Sequence, residues 1–356
     1  MSNAVLTLPC EVRAHTGRDL DASFPRWAEY LREKGAVAAS RHPAWLAILR
    51  DGLGHVPHCL ESVRGERICG LLPLAYIHSW WFGRFLVSLP YLNTGGLVAE
   101  DDTTARLLIT AAMQLADRLD VKYLELRHEQ VVAHPRITDQ VNGKVHMRLP
   151  LPASVGQLWD GFDGKVRNQV RKAQKNGLTT SWGGPELLPE FYDVFSHNMR
   201  DLGTPVYGTS LFQAILCHLP DAAELCIVRA GKKAVAAGLL LHGQGVSEVP
   251  SASSLRDFNS TNANMLLYWN LLQRSVERGQ TLFDFGRSSP DSNTCKFKKQ
   301  WGAVPHPAEW QYYRRNGHVS DARPDNPRYE RLIRLWRRLP LWLTRVLGPR
   351  IVRGIP

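Results

Sequence analysis

The sequence predicts an α/β protein built from two related units in tandem, followed by a basic tail. Three observations lead there. Two segments with the form of a β-hairpin, CLESVRGERICGLLPL (59–74) and CIVRAGKKAVAAGLLL (226–241), share the order Val-Arg, Gly, basic residue, Gly-Leu-Leu. Each is followed by more strand and then a long helix, TTARLLITAAMQLADRL (103–119) in one half and TNANMLLYWNLLQRSVER (261–278) in the other. Each helix leads into one apolar strand, VKYLELR (121–127) or TLFDFGR (281–287), so that Glu125 and Arg127 mirror Asp284 and Arg287 about 160 residues further on. Either the chain holds a duplicated unit or two α/β units share these patterns by chance.

At 356 residues and 44% hydrophobic content the chain can bury a large core and has room for two domains of ordinary size. The segment VHMRLPLPASVG (145–156), with two prolines and small residues, marks a boundary near residue 150. That gives units 1–150 and 151–318 and an extension 319–356. There is no run of about eighteen apolar residues, and the N-terminus lacks the charged start and apolar stretch of a signal peptide, so a cytoplasmic location is expected. The six cysteines are scattered without a Cys-x-x-Cys pair and are expected to be reduced. His55, His58 and Cys59 come nearest to a metal cluster, but no second ligand pair stands at zinc-site spacing, and no metal is expected.

The net charge of +11 is unevenly spread. From Arg323 onward nine arginines face only Asp325 and Glu330, so the tail holds seven of the eleven surplus charges. The body is nearly balanced, which argues against reading the whole chain as a nucleic-acid binder.

Residues 281–302, TLFDFGRSSPDSNTCKFKKQWG, read as a buried strand ending in Asp284, Gly286 and Arg287 that runs into a cationic aromatic turn. Ligands of open α/β sheets bind at strand ends. Asp284 has apolar neighbours on both sides, so its carboxylate must be hydrogen-bonded, paired or protonated. It either handles a proton or pairs with Arg287. Lys296, Lys298 and Lys299 interleave with Phe297 and Trp301, a surface suited to an anionic, partly planar ligand. A second cationic segment, GKVRNQVRKAQKN, predicts a helix with Asp163 as N-cap and a stop at Asn176 and Gly177. It carries Lys165, Arg167, Arg171, Lys172 and Lys175 and no acid, which suits either a solvated face or a polyanion contact.

Several segments, in order, resemble the FemAB family of aminoacyl transferases, and within it the branch associated with exopolysaccharide and exosortase (PEP-CTERM) systems. They are LWDGFDGKVRNQVRKAQKNGL (158–178), NMRDLGTPVY (198–207), NANMLLYW (262–269), FDFGRS (283–288) and KFKKQWG (296–302), which together span about 145 residues. The resemblance implies two tandem acetyltransferase-like (GNAT) domains, each a mixed sheet flanked by helices. It also implies transfer of an activated aminoacyl or acyl group onto an amine of a cell-envelope or exopolysaccharide precursor. Aminoacyl-tRNA or acyl-CoA would be the co-substrate, with no bound cofactor. The amine must lose a proton, and the tetrahedral oxyanion must be stabilised.

By the same resemblance Lys298 stands beside the acyl donor, and Arg167 and Arg171, with Lys172 on the same helix, clamp an anionic precursor. Phe297 and Trp301 either stack on a base or sugar or pack in the core. Asn264, in the first turn of the second long helix, binds substrate or caps that helix. Tyr207, with Thr204 and Pro205, shapes a loop beside the pocket. The sequence departs from the pattern in two places. SSLRDFNSTNAN (253–264) lacks the glycines with which GNAT enzymes cradle a pyrophosphate, which disfavours an ordinary acetyl-CoA site. Cys295 replaces an expected aromatic and reads as packing. Because the lysine-rich segment follows only the second strand, the acyl-donor site is expected in the second unit, with Lys298 more important than Asp284.

In the tail, Leu332, Leu335, Trp336 and Leu339 share a helical stripe, Pro340 breaks it, and Trp342, Leu343, Val346 and Leu347 begin another. With arginines around both stripes, this composition fits either a helix in an anionic membrane interface or one docked on the protein's own body. Two readings of the whole chain compete with acyl transfer to an envelope precursor. One is an acetyl-CoA-dependent N-acetyltransferase; the other is a catalytically silent module that binds RNA or membrane.

Overall fold

The computed structural model describes residues 9–315, apart from 138 and 142, and residues 330–356. The first half runs β1 (Glu11–Thr16), α1 (Phe24–Glu33), α2 (Trp45–Leu53), β2 (Val56–Arg64), β3 (Arg67–Ser79), β4 (Gly83–Val87), β5 (Val98–Ala99), α3 (Asp102–Arg118), β6 (Tyr123–His128) and β7 (Asp139–Val141). The second runs β8 (Val145–Pro150), α4 (Val155–Gly161), α5 (Gly164–Lys175), β9 (Leu178–Gly183), α6 (Leu188–Leu202), α7 (Thr209–His218), β10 (Ala223–Ala230), β11 (Lys233–His242), β12 (Val246–Ser254), α8 (Ala263–Glu277), β13 (Leu282–Ser288), α9 (Asn293–Gln300), β14 (Val304–Pro307) and β15 (Glu309–Tyr313). The tail forms α10 (Glu330–Trp336) and α11 (Leu341–Val352). None of the described helices is long and apolar enough to cross a membrane.

Two mixed sheets result. Their orders are β1-β2-β3-β4-β6-β15-β7, with β5 against β3, and β14-β8-β13-β12-β11-β10-β9. Among the described strands only β4 with β6 and β12 with β13 are parallel, each over three residue pairs. The series β1-β2-β3-β4-β6-β15 and β9-β10-β11-β12-β13-β8 thus show the same succession of antiparallel and parallel neighbours, which is the duplication suggested by the two hairpins. The sixth strand of each series crosses over. β8, which ends at the boundary expected near residue 150, joins the second sheet, and β15 returns from the end of the second unit to the first.

Apolar periodicity explains the layers. α3 begins where the Asp101 carboxylate accepts the Thr104 N–H at 2.7 Å, and it lays Leu108, Ile109, Ala112 and Met113 on Leu72, Leu86 and Leu124 of the first sheet. α5 and α8 cover the outer face of the second sheet, where Val166, Val170, Leu267 and Leu271 meet Phe283 and Phe285. Between the sheets α1 and α2 of the first unit and α6 and α7 of the second share one core, with Trp27, Trp45, Phe191 and Phe212 at its centre. Each such side chain withdrawn from water contributes roughly 1.5–3 kcal/mol, so the two units are held as one body by their largest residues.

Local expectations hold in α5, which follows Asp163 and closes at Asn176 and Gly177, although the Asp163 side chain makes no capping bond. The segment after β13 differs from expectation. It is the two-turn helix α9 rather than a turn, begun by Ser292, whose Oγ accepts the Cys295 N–H at 3.1 Å. Cys295 itself is buried against Met147, a packing role.

The tail docks on the body through one face. Thr344, Gly348 and Val352 are buried, Arg345 donates to Asp193 at 2.6 Å and to Ser196 at 2.9 Å, and Gly348 lies against Val206. Its other face, with Trp342 and Val346, is exposed.

Candidate active site

β13 alternates as a half-buried strand should. Phe283 and Phe285 point outward into the core under α8, so Asp284 between them points to the opposite face, toward the first unit. There its register partners are Glu248 on β12 and Arg148 on β8. Three neighbouring strands therefore present a row of carboxylate, carboxylate and guanidinium on one face.

The row is tightly bonded. Arg148 Nε donates to Asp284 Oδ2 at 2.9 Å, and Nη1 and Nη2 donate to the two oxygens of Glu129, both at 2.9 Å. The other Asp284 oxygen, Oδ1, accepts the Gly286 N–H at 2.6 Å. Glu248 reaches the first unit, where its oxygens accept the backbone N–H and the hydroxyl of Ser40, each at 2.7 Å. Arg41, anchored by a 3.1 Å bond from Nη1 to the Gly96 carbonyl, stands 4.0 Å from Glu129. His146 is fully buried 3.9 Å from Asp284; neither ring nitrogen makes a hydrogen bond, and burial pulls its pKa down to about 4. Burial, and then the charge of Asp284, push the Glu248 carboxyl up to about 7. With Arg41 and Arg148 as cations and Asp284 and Glu129 as anions, a neutral Glu248 leaves the cluster balanced, and an ionised one gives it a net negative charge.

Beyond Glu248 and Asp284 the two parallel strands no longer pair, although β12 continues to Ser254 and β13 to Ser288. At this opening Gly286 takes a φ of +77°, and Lys298, reaching up from α9, donates from Nζ to the carbonyls of Gly286 at 3.0 Å and Arg287 at 3.1 Å. Burial pulls the Lys298 pKa down to about 8. Arg287 stands over the Trp310 ring of β15, 3.4 Å from its centroid, and Arg127 of β6 approaches the same indole at 4.1 Å. Arg127 is paired with Glu125 at 2.6 Å and donates to the Leu92 carbonyl at 2.8 Å. Arg287 has no carboxylate partner among the described residues and an unbonded buried Nε, and burial with Arg127 nearby lowers its pKa to about 10.

The structure thus brings together Asp284, Arg287 and Lys298 and separates them from the other residues expected at the site. Asp284 pairs with Arg148, not with Arg287, because Arg287 turns away beyond the Gly286 bulge. Arg167, Arg171 and Lys172 lie on α5, which packs on the outer face, so they and Asp284 are on opposite sides of the second sheet. There Arg171 stacks on Trp159 at 5.3 Å, and Arg167 stands 4.0 Å from Asp160. Trp301, 1% exposed, packs on Phe162 and offers no free ring to a ligand, while Phe297 packs edge-on against Tyr268 and stays half-buried. Asn264 lies in the first turn of α8, half-buried, and the helix has no side-chain cap. Tyr207 meets the first unit edge-on at Tyr91, 5.3 Å away, in the loop that also carries Leu92 and Asn93.

Glu248, Arg148, Glu129, Ser40, Arg41 and Trp310 escaped the sequence reading. VHMRLP (145–150) looks like a linker, yet His146 and Arg148 are two apart in a strand and so share a face, which was the available signal. Among the described residues no group of three or more His, Cys, Asp or Glu side chains is placed to hold a metal ion.

A family model described as an acetyltransferase (GNAT) domain matches residues 162–299, the stretch from the start of α5 through Lys298. In fold the chain is similar to FemX, with a TM-score of 0.58 and 15% identity over 75% of this chain and 90% of that one. It is also similar to a tandem GNAT protein from the clavulanic acid biosynthesis pathway (TM-score 0.56, 12% identity, 87% of this chain and 100% of that one). L-PGS from Bacillus licheniformis compares at a TM-score of 0.55 and 16% identity, over 91% of this chain and 96% of that one. No curated protein matches the chain in sequence. Residues 162–299 thus match a GNAT domain, and the fold of the whole chain is that of tandem GNAT proteins.

Proposed function

We propose that the protein transfers an activated aminoacyl or acyl group to an amine of a cell-envelope or exopolysaccharide precursor on the cytoplasmic side of the membrane, as the FemAB-like motifs suggest. The observation that carries this reading is the Glu248, Asp284 and Arg148 row placed where β12 and β13 part, with the buried Lys298 Nζ on the Gly286 carbonyl beside it.

The chemistry needs a proton acceptor and an oxyanion partner. Asp284 is 5% exposed and ion-paired with the Arg148 guanidinium, which makes it a positioning group. Glu248 is half-buried, is bonded only by neutral donors and has its pKa near 7, the value suited to a general base at neutral pH. The amine nitrogen attacks the acyl carbon and passes a proton to Glu248. Lys298 donates to the oxyanion, and collapse breaks the bond to the donor's oxygen or sulfur, which takes the proton back. Arg287, stacked but without a carboxylate, suits a phosphate of either substrate.

Two features support an aminoacyl-tRNA donor. The β12–α8 connection lacks the phosphate-cradling glycines, and Arg171, Lys172 and Lys175 leave a cationic face of α5 in solvent. Among the proteins of similar fold is the C-terminal domain of a putative lysylphosphatidylglycerol synthetase, named for an aminoacylated product. The acetyltransferase description of the matched domain favours acetyl-CoA as the second reading. Incubation of the protein and an amino-sugar diphosphate acceptor with labelled aminoacyl-tRNA and, separately, labelled acetyl-CoA separates the two. Label transfer that is lost after ribonuclease supports the first; transfer from acetyl-CoA alone refutes it.

A further inference from the structure

The hairpin between β3 and β4 ends in Trp80 and Trp81, which are 93% and 74% exposed. Nothing in the proposed chemistry uses them, and two adjacent bare indoles cost a soluble surface solubility without adding to the core. The chain end lies against the base of this hairpin. A Cβ on Gly354 would come within 2.4 Å of Ser79 Oγ and 3.1 Å of Phe82, the residues that flank the two tryptophans. From there α11 runs back along the body with Thr344, Gly348 and Val352 inward, so that Trp342, Val346, Arg350 and Arg353 form the outward stripe. α10 adds exposed Leu332, Arg334 and Leu335, and the turn after it adds Arg338. Lys122, whose Nζ bonds the Phe82 carbonyl, and Arg84 stand at the hairpin turn.

We infer that the Trp80–Trp81 hairpin and the outward faces of α10 and α11 form one surface that seats in the interface of an anionic lipid bilayer. Indole rings prefer the headgroup boundary, and arginines beside them gain from anionic lipid. Charge argues against a second copy of the chain as the occupant. Residues 331–356 hold seven arginines and no acid, so two such faces brought together would repel. The docked end also touches the site loop. Tyr91 Oη donates to the Arg353 carbonyl at 3.2 Å, and two residues on, Asn93 packs on Gly286. Seating would therefore present the opening between β12 and β13 to an acceptor held at a membrane. The inference concerns where the protein sits and does not depend on which group is transferred.

Sedimentation of the full chain with vesicles of phosphatidylcholine alone, or with about a third phosphatidylglycerol, tests it. The protein should pellet with the anionic vesicles and be released by salt. The variants Trp80→Ala/Trp81→Ala and Arg350→Glu/Arg353→Glu, all at exposed positions, should keep the native circular dichroism and lose roughly tenfold or more in partitioning. The inference is overturned if anionic vesicles bind no more protein than neutral ones, or if the tryptophan variant partitions like the wild type. It is likewise overturned if the tryptophans drive a concentration-dependent dimer or RNA binding instead of vesicle binding.

Discussion

Replacing Glu248 with glutamine should stabilise the protein at alkaline pH while abolishing transfer. In the fold the carboxyl is displaced from 4.5 to about 7 by burial and by Asp284 beside it. Between those values the native state holds a proton that the unfolded chain has lost, so this group makes stability fall as pH rises through the window, with no further change above it. At about 1.4 kcal/mol per pH unit the full displacement corresponds to roughly 3 kcal/mol, reduced toward 2 because Glu248 is only half-buried. Glutamine keeps an acceptor for the Ser40 N–H and can donate to its hydroxyl, so the contacts with the first unit survive. The buried His55, His128, His146 and His242, each lowered to about 4, produce the opposite slope between that value and 6.5. They are common to both proteins and cancel in the difference. Urea unfolding of wild type and Glu248→Gln at about pH 5 and about pH 8 should show the variant's advantage widening by roughly 2 kcal/mol at the higher pH. An advantage that stays constant or shrinks would refute the assignment of Glu248 as a carboxyl strained by burial.

The other expectations follow from the same cluster. Arg148→Met leaves Asp284 and Glu129 without their shared cation and should cost about 3 kcal/mol, seen as a lower urea midpoint; an unchanged midpoint contradicts the role given to this pair. Lys298→Ala should reduce transfer by about 100-fold or more with little change in circular dichroism, and near-normal turnover would remove the lysine from the chemistry. The pH profile of kcat/KM should rise near 7 as Glu248 ionises and fall near 8 as Lys298 loses its proton, with the alkaline limb missing in Lys298→Arg. Gly286→Ala places a side chain at a φ of +77° and 2.9 Å from Asn93 Nδ2. It should lower stability by about 1–2 kcal/mol and disturb the loop carrying Leu92 and Asn93, measured as a drop in both the unfolding midpoint and kcat.

Much of the fold was legible because its signals are local. Apolar spacing revealed α3 and α8, Asn176 with Gly177 ended α5, and the pattern FDFGR located β13 with its charged end. The pairing of Asp284 was not legible, since its partner Arg148 lies 136 residues away on a strand whose closing Pro150, with Pro152 just beyond it, reads as a linker. Side also escaped sequence reasoning. Arg167 and Lys298 look like members of one anionic site by composition, but only the packing of Val166 and Val170 under α8 decides that α5 faces away from Asp284. α9 was read as a turn because its polar, lysine-rich sequence masks the capping serine. The mirror of Glu125 with Asp284 did hold, as each closes the three-residue parallel pairing of its sheet. The first unit nevertheless has Val87 and Tyr312 where the second has Glu248 and Arg148, so only one copy retains the polar row.

The crossing of β8 and β15 has a consequence for biosynthesis. Strand β6 needs β15 at its outer edge, and β15 begins at Glu309, so a ribosome must make nearly the whole second unit before the first can close. Until then Leu124 and Leu126 lie on a strand with one open edge, which is the condition under which nascent chains pair wrongly with one another. Separate expression of either half would reproduce that condition permanently. The two units repeat one strand pattern, yet neither sheet is complete without a strand from the other, so both close late in synthesis.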